Sequence, residues 1–217
     1  MDYSNDIKID LELILKNEKT TPGKRKVLIS SINLFSKFGF NAVSTSEIAK
    51  NAGVSEATIF KYFKNKRGLL MAIITPILEH CLPSYENIFA NQIAKKENCD
   101  LKTLVHLVVN DRIQFLEQNK DVITIILSQI LVDADIRDNL IKYLENNHFD
   151  NASKIFKVFH NTQELASDID YNSLLRIFMG QLLINFTQIY VFNVKDNQQE
   201  QLVSQIYRAL KSQVQTP

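Results

Sequence analysis

Cysteine, glycine and proline are scarce in this chain, and tryptophan is absent. Only Cys81 and Cys99 occur in 217 residues, which excludes a disulfide framework and a CxxC metal motif. Free thiols in a chain large enough to bury its own core fit a reducing cytoplasm. His80, His106, His148 and His160 show no metal-ligand spacing, so neither metal nor cofactor is expected. The acidic start, Met1 to Asp10, lacks an apolar stretch behind a basic one, so no signal peptide is expected. The longest uncharged run, Ile177 to Val194, is interrupted by Gln181, Asn185, Gln188 and Asn193. It reads as a buried helix of a soluble protein, because a membrane span wants about 20 predominantly apolar residues. No period of 20–50 residues repeats.

The few helix breakers are unevenly placed. Gly23, Gly39, Gly53 and Gly68 all precede residue 70, and Gly180 stands alone. Beyond residue 70 the interior prolines are Pro76 and Pro83. Apolar residues recur there at three and four, and no sustained alternation of period two occurs. The fold class is therefore all-α. Helices are expected at 66–91 (kinked at Pro76), 101–118, 121–132, 135–160, 170–193 and 197–213. In residues 1–20 the alternation of Ile7, Ile9, Leu11 and Leu13 is spoiled by Ile14 and Leu15, and the segment reads as an arm or a short amphipathic helix.

Hydrophobic residues at 45 % and charged residues at 23 % are globular values. The net charge of +1 speaks, at face value, against a nucleic-acid partner. Segmenting the chain reverses that. Lys19 to Leu70 holds ten basic and two acidic residues, a net +8. Residues 1–18 carry −3 and residues 71–217 carry −4. A basic module is joined to acidic flanks.

The basic segment also carries the turn signals. Thr21-Pro22-Gly23 opens a helix, since Pro is tolerated in a first turn. Val27, Leu28, Ile32, Phe35 and Phe38 form its core stripe, and Gly39 ends it. Ser44-Thr45-Ser46-Glu47 fits a capping box. The helix it starts carries Ile48, Ala49 and Ala52 and stops at Gly53. Ser55 is placed to cap a helix over 56–63, and Asn65 to cap the next. Two short helices joined by a tight turn read as a helix-turn-helix, whose second helix enters the major groove. A bare αα-corner would look the same. Its coincidence with the basic block favours a phosphate-binding footprint.

The stretch from Pro22 to Leu70, with Ile48-Ala49, Ala52-Gly53-Val54-Ser55, Thr58, Tyr62-Phe63, Asn65-Lys66 and Leu69, resembles the TetR family of bacterial transcriptional regulators. The resemblance implies a helix-turn-helix domain over 21–66 and a helical ligand-binding and dimerisation domain over 67–217, about nine helices in all. It implies that Ser44, Thr45 and Ser46 start the helix abutting the DNA. Glu56, Ala57 and Lys61 then lie on the exposed face of the recognition helix. Thr58, Tyr62 and Lys66 match phosphate contacts, the last aided by a helix dipole. The sequence departs from the family pattern at Ala57, usually Gly or Pro, and at Phe60, usually Tyr. Ala57 offers a methyl that can meet thymine. Phe60 loses a hydroxyl and with it one phosphate bond. Lys61 suits guanine or a phosphate, and most protein–DNA bonds go to the backbone. Glu56 suits a cytosine amine or simply the first turn of its helix.

In 101–118 the apolar arc of Leu101, Leu104, Val105, Val108, Val109, Phe115 and Leu116 has Arg112 at its centre. A guanidinium there needs a partner. Asp133 or Asp135 is one candidate, and an anionic ligand in an apolar pocket is another. Arg112, Phe115, Gln129, Phe178 and Gln181 are the candidate ligand residues. Among Tyr85, Phe89, Phe149, Phe156 and Phe159, plain core is the simpler reading.

Helix 170–193 shows two apolar faces. Leu175, Phe178, Leu182, Leu183 and Phe186 form one; Ile177, Ile184 and Val191, beside Gly180 and Thr187, form the other. With the stripe Leu202, Val203, Ile206 and Leu210 it resembles a two-helix share of a dimer interface. Ile177, Gly180, Ile184, Thr187, Leu202, Ile206 and Leu210 are its candidate residues. The leading reading is a homodimeric repressor that binds a palindromic operator in double-stranded DNA, is released by a small hydrophobic or amphipathic effector, and works in the cytoplasm away from membranes. The alternative keeps the DNA-binding helix-turn-helix under a protein partner or without ligand gating. No nucleophile–base pair, phosphate loop or metal cluster supports an enzyme.

Overall fold

The computed structural model describes residues 6, 7, 11, 20–96, 98–194 and 199–211, apart from the side chains of 144–150 and 152. Among the described residues there are ten α-helices, two π-helical turns and no strand. The helices divide between two compact units. One is Met1–Tyr85 with Asn119–Asn146, and the other is Glu86–Gln118 with Asn147–Pro217. The expected boundary at 66/67 falls inside the first unit.

In the first unit α1 (Pro22–Phe38) is capped by Thr21, whose hydroxyl accepts from the Lys24 N–H. Gly39 closes it at φ +82, a left-handed conformation suited to glycine. Val27, Leu28, Ile32 and Phe35 are buried as the stripe requires. Phe38 is not: it is 54 % exposed. The chain turns away at Gly39, and Phe40 packs edge-on against Phe35 instead, ring centroids 5.2 Å apart.

The helices α2 (Thr45–Ala52) and α3 (Glu56–Phe63) meet through Gly53, which is left-handed at φ +65. Ile48, Ala49 and Ile59 are buried between them and α1. Asn65 caps α4 (Lys66–Pro76), accepting from Gly68 N–H at 2.7 Å. Ser55 makes no backbone cap; its hydroxyl meets the Thr58 hydroxyl at 2.9 Å. The unit is completed by α7 (Lys120–Ile130), packed on α1, and by the first half of α8 (Ala134–Asn161).

The helix expected over 66–91 is present over 66–94, with a π turn inside it directly after Pro76. Pro76 ends α4, a π turn follows at Ile77–Cys81, and α5 covers Leu82–Ala94. Proline removes an internal donor, and the backbone widens for one turn, with Leu82 N–H reaching Ile77 C=O. At the N-terminus Ile7 and Leu11 are helical and buried, four residues apart, and Ile7 N–H donates to buried Asn119 at 2.7 Å. The rest of the expected arm lies outside the described residues.

The second unit packs α6 (Leu101–Gln118), α9 (Tyr171–Phe186) and α10 (Gln199–Leu210) against one another. Phe159 of α8 meets Phe178 edge-on in their core, at 5.8 Å. The core takes a narrow stripe of α9, namely Leu174, Phe178, Leu182 and Phe186. Each is four residues from the last, so Leu175 and Leu183, expected on this face, are exposed. A second π turn, Thr187–Val191, follows. The stretches 66–94 and 171–191 are long and apolar enough to cross a membrane by length and composition, a test that core helices also pass.

Candidate nucleic-acid interface

Every residue predicted to touch DNA lies on the N-terminal end of α2, on α3, or at the N-terminal end of α4. The capping box forms as expected. Ser44 Oγ accepts from Glu47 N–H at 3.1 Å, and Glu47 Oε2 accepts from Ser44 N–H at 2.7 Å and from Ser44 Oγ at 2.8 Å. These bonds favour the carboxylate and hold Glu47 below the usual carboxylate range. Ser44 is thus held by its own helix, while Ser46 beside it is exposed.

Thr45 and Glu56 join the two helices. The Thr45 hydroxyl donates to Glu56 Oε1 at 2.5 Å, and both side chains are half-buried. This bond ties the start of α2 to the start of α3. Ile59 and Phe63 form the buried face of α3. Ala57, Phe60 and Lys61 are exposed on the other side, and Lys64 follows at the C-cap with φ +65. Lys61 Nζ stands 5.7 Å from the Tyr62 ring centroid. Tyr62 is half-buried, and its phenol accepts from the Thr21 hydroxyl at 2.9 Å. Thr21 was not among the expected site residues; its position before Pro22, at the N-cap, is the signal that marks it. Thr58 is half-buried beside Ser55.

Lys66 is the least free of the predicted phosphate contacts. Its ammonium lies 4.4 Å from the Phe40 ring centroid and donates to the Asn41 carbonyl at 3.3 Å. Burial lowers its pKa, and Glu47 opposes that. Its neighbour Arg67 forks onto Asp133, with Nε and Nη2 at 3.1 and 3.0 Å, and onto Asp135 at 2.6 Å. Both carboxylates raise the guanidinium pKa further.

Residues 28–73 match the model of bacterial regulatory proteins of the tetR family. The chain is 32 % identical over 123 residues to the uncharacterized HTH-type transcriptional regulator YvkB of Bacillus subtilis, 56 % of this chain and 60 % of that protein. Over these residues the chain is similar to the TetR family. Over 91 residues the chain is also 33 % identical to the HTH-type transcriptional regulator RutR of Escherichia coli, covering 40 % of this chain and 43 % of that one. The match thus spans about half the length of these relatives. The fold agrees over more of the chain. The regulator FadR of Bacillus subtilis, solved in complex with stearoyl-CoA, superposes with a TM-score of 0.57 at 17 % identity, covering 85 % of this chain and 96 % of that one.

The candidate ligand residues fall in both units. Gln129 is buried in the first unit, its amide donating to the Ser128 hydroxyl at 3.3 Å. Arg112, Phe115 and Phe178 belong to the second unit, where Gln181 is exposed. Asp133 and Asp135, the carboxylates expected as partners of Arg112, are bonded by Arg67 within the first unit. Arg112 Nε donates to Asp111 Oδ2 at 3.1 Å, its Nη2 stands at ion-pair distance from the same oxygen, and the guanidinium lies over the Phe89 ring at 3.7 Å from its centroid.

The expected interface residues divide. Leu202, Ile206 and Leu210 are buried in the second unit's own core, and Ile177 packs half-buried against it. Gly180 and Ile184 are exposed on α9, with Met179 and Leu183 beside them, and Thr187 is half-buried. Among the described residues no group of three His, Cys, Asp or Glu side chains is placed to hold a metal.

Proposed function

We propose that this chain is a cytoplasmic transcriptional repressor that binds a palindromic operator as a homodimer and is released by a small hydrophobic or amphipathic ligand. One observation carries the DNA-binding part: a +8 segment coincides with a fully formed helix-turn-helix whose second helix keeps Ala57, Phe60 and Lys61 exposed. Dimerisation is supported by α9, where Met179, Leu183 and Ile184 stand exposed around Gly180 on an apolar face. A palindrome also needs two reading heads about 34–36 Å apart. Ligand release is supported by the FadR neighbour, which was solved with an acyl-CoA. Release would work by population shift, the ligand binding a conformation whose heads are wrongly spaced.

The test is selection of DNA fragments by the purified full chain from a random pool at about 150 mM salt. Enriched inverted repeats support the reading. Recovery of unenriched sequence, or of none, overturns it. Added long-chain acyl-CoA should release the selected DNA and raise Tm; no effect from acyl-CoA, fatty acids or other amphiphiles would remove the ligand from the proposal.

A further inference from the structure

The reading face of α3 holds an aromatic ring that its own fold does not use. Phe60 is 47 % exposed, and no ring or cation contact involves it. Single exposed apolar residues are ordinary on protein surfaces. The surroundings of this one are not. Phe60 lies one turn after Ala57, itself exposed, and is followed by exposed Lys61 and Lys64. Ile59 and Phe63 anchor the opposite face, so the ring is fixed on the outward side by the helical register. Phenylalanine lacks the hydroxyl with which a tyrosine there would bond a phosphate. A ring without a hydroxyl gains nothing from a phosphate oxygen.

Within the major groove the apolar feature on base edges is the C5-methyl group of thymine; the other edges there present donors and acceptors. Ala57 adds a methyl to the same strip, and the two lysines suit the phosphates at its rim. The Thr45–Glu56 bond pins the acidic group at the start of the helix. Resting on the DNA-binding reading above, we propose that Phe60 is a specificity-determining residue that reads the C5-methyl of thymine in each operator half-site.

Deoxyuridine scanning tests this. Uracil pairs as thymine does and lacks only the methyl. In the selected operator each thymine is replaced in turn by deoxyuridine, and the affinity of the full chain is measured. One position per half-site should weaken binding about fourfold, the weight of one buried methylene. Phe60→Ala should be indifferent to that same replacement, and Phe60→Tyr, which keeps the ring, should retain the sensitivity. Equal affinity of the unaltered chain across the whole scan overturns the inference while leaving DNA binding intact. Unchanged sensitivity in Phe60→Ala also overturns it, by assigning the methyl to another side chain. Failure to select any operator overturns both readings.

Discussion

Gly68 shows how much one hydrogen atom can decide. A Cβ there would lie 2.1 Å from the Phe63 carbonyl oxygen, so α4 approaches the end of α3 closely only because Gly68 has no side chain. Backbone cannot swing aside as a flexible side chain does. Gly68→Ala should cost about 1–3 kcal/mol, the usual range for forced overpacking, read as a lower midpoint in urea unfolding. Gly23→Ala is the control, because its Cβ would meet Thr58 Cγ2 at an ordinary 3.8 Å. An unchanged midpoint in Gly68→Ala would show that α4 can shift freely. The capping box of Ser44 and Glu47 was fully legible in sequence, because its bonds are local and reciprocal. The need for Gly68 was not, because the atom it avoids belongs to the preceding helix. Ser55 misled for a related reason: its neighbour Thr58 competed for the hydroxyl.

At the scale of elements, one contact joins the start of α4 to the α7–α8 corner. Arg67 forks onto Asp133, which also caps α8 by accepting from Ile136 N–H at 3.2 Å. The Arg67 bond holds the Asp133 carboxyl below its ordinary range, with the Ile136 N–H helping. A depressed carboxyl stabilises the fold above its ordinary pKa, about 3.9, and loses that contribution as pH falls through the lowered value. Asp133→Asn should therefore lower Tm at pH 7, and the gap to the unaltered chain should close as pH drops below about 4. Half of the Arg67 side chain is exposed, so 1 M salt should narrow the gap as well. A gap independent of both pH and salt would mean that the bridge contributes nothing. Periodicity located every helix but could not choose its neighbours. It placed Leu202, Ile206 and Leu210 on a stripe, and that stripe serves this chain's own core. It marked Pro76 as the irregular point of its helix, and the π turn stands directly after that residue.

For the whole molecule, the net charge of +1 is a cancellation between the basic head and its acidic flanks. The charge pattern was legible because it needs only segment totals; which lysines meet phosphates was not, because that depends on where each side chain turns. Lys66 turns back onto Phe40 and Asn41, while Lys61 and Lys64 stay exposed. Salt separates their roles. A dimer neutralising about six to ten phosphates should lose about 10³–10⁵ in operator affinity between 50 and 200 mM salt. Lys61→Ala removes one contact per protomer. If Lys61 binds phosphate, the slope of log affinity against log salt should shrink by about two, equally on operator and random DNA. If it reads guanine O6 and N7, the slope should hold and preference at one base pair per half-site should relax. The first outcome is expected, since Lys61 Nζ lies toward Tyr62, whose neighbouring hydroxyl suits the backbone too. A parent slope shallower than about −2 would deny the basic segment its electrostatic role altogether.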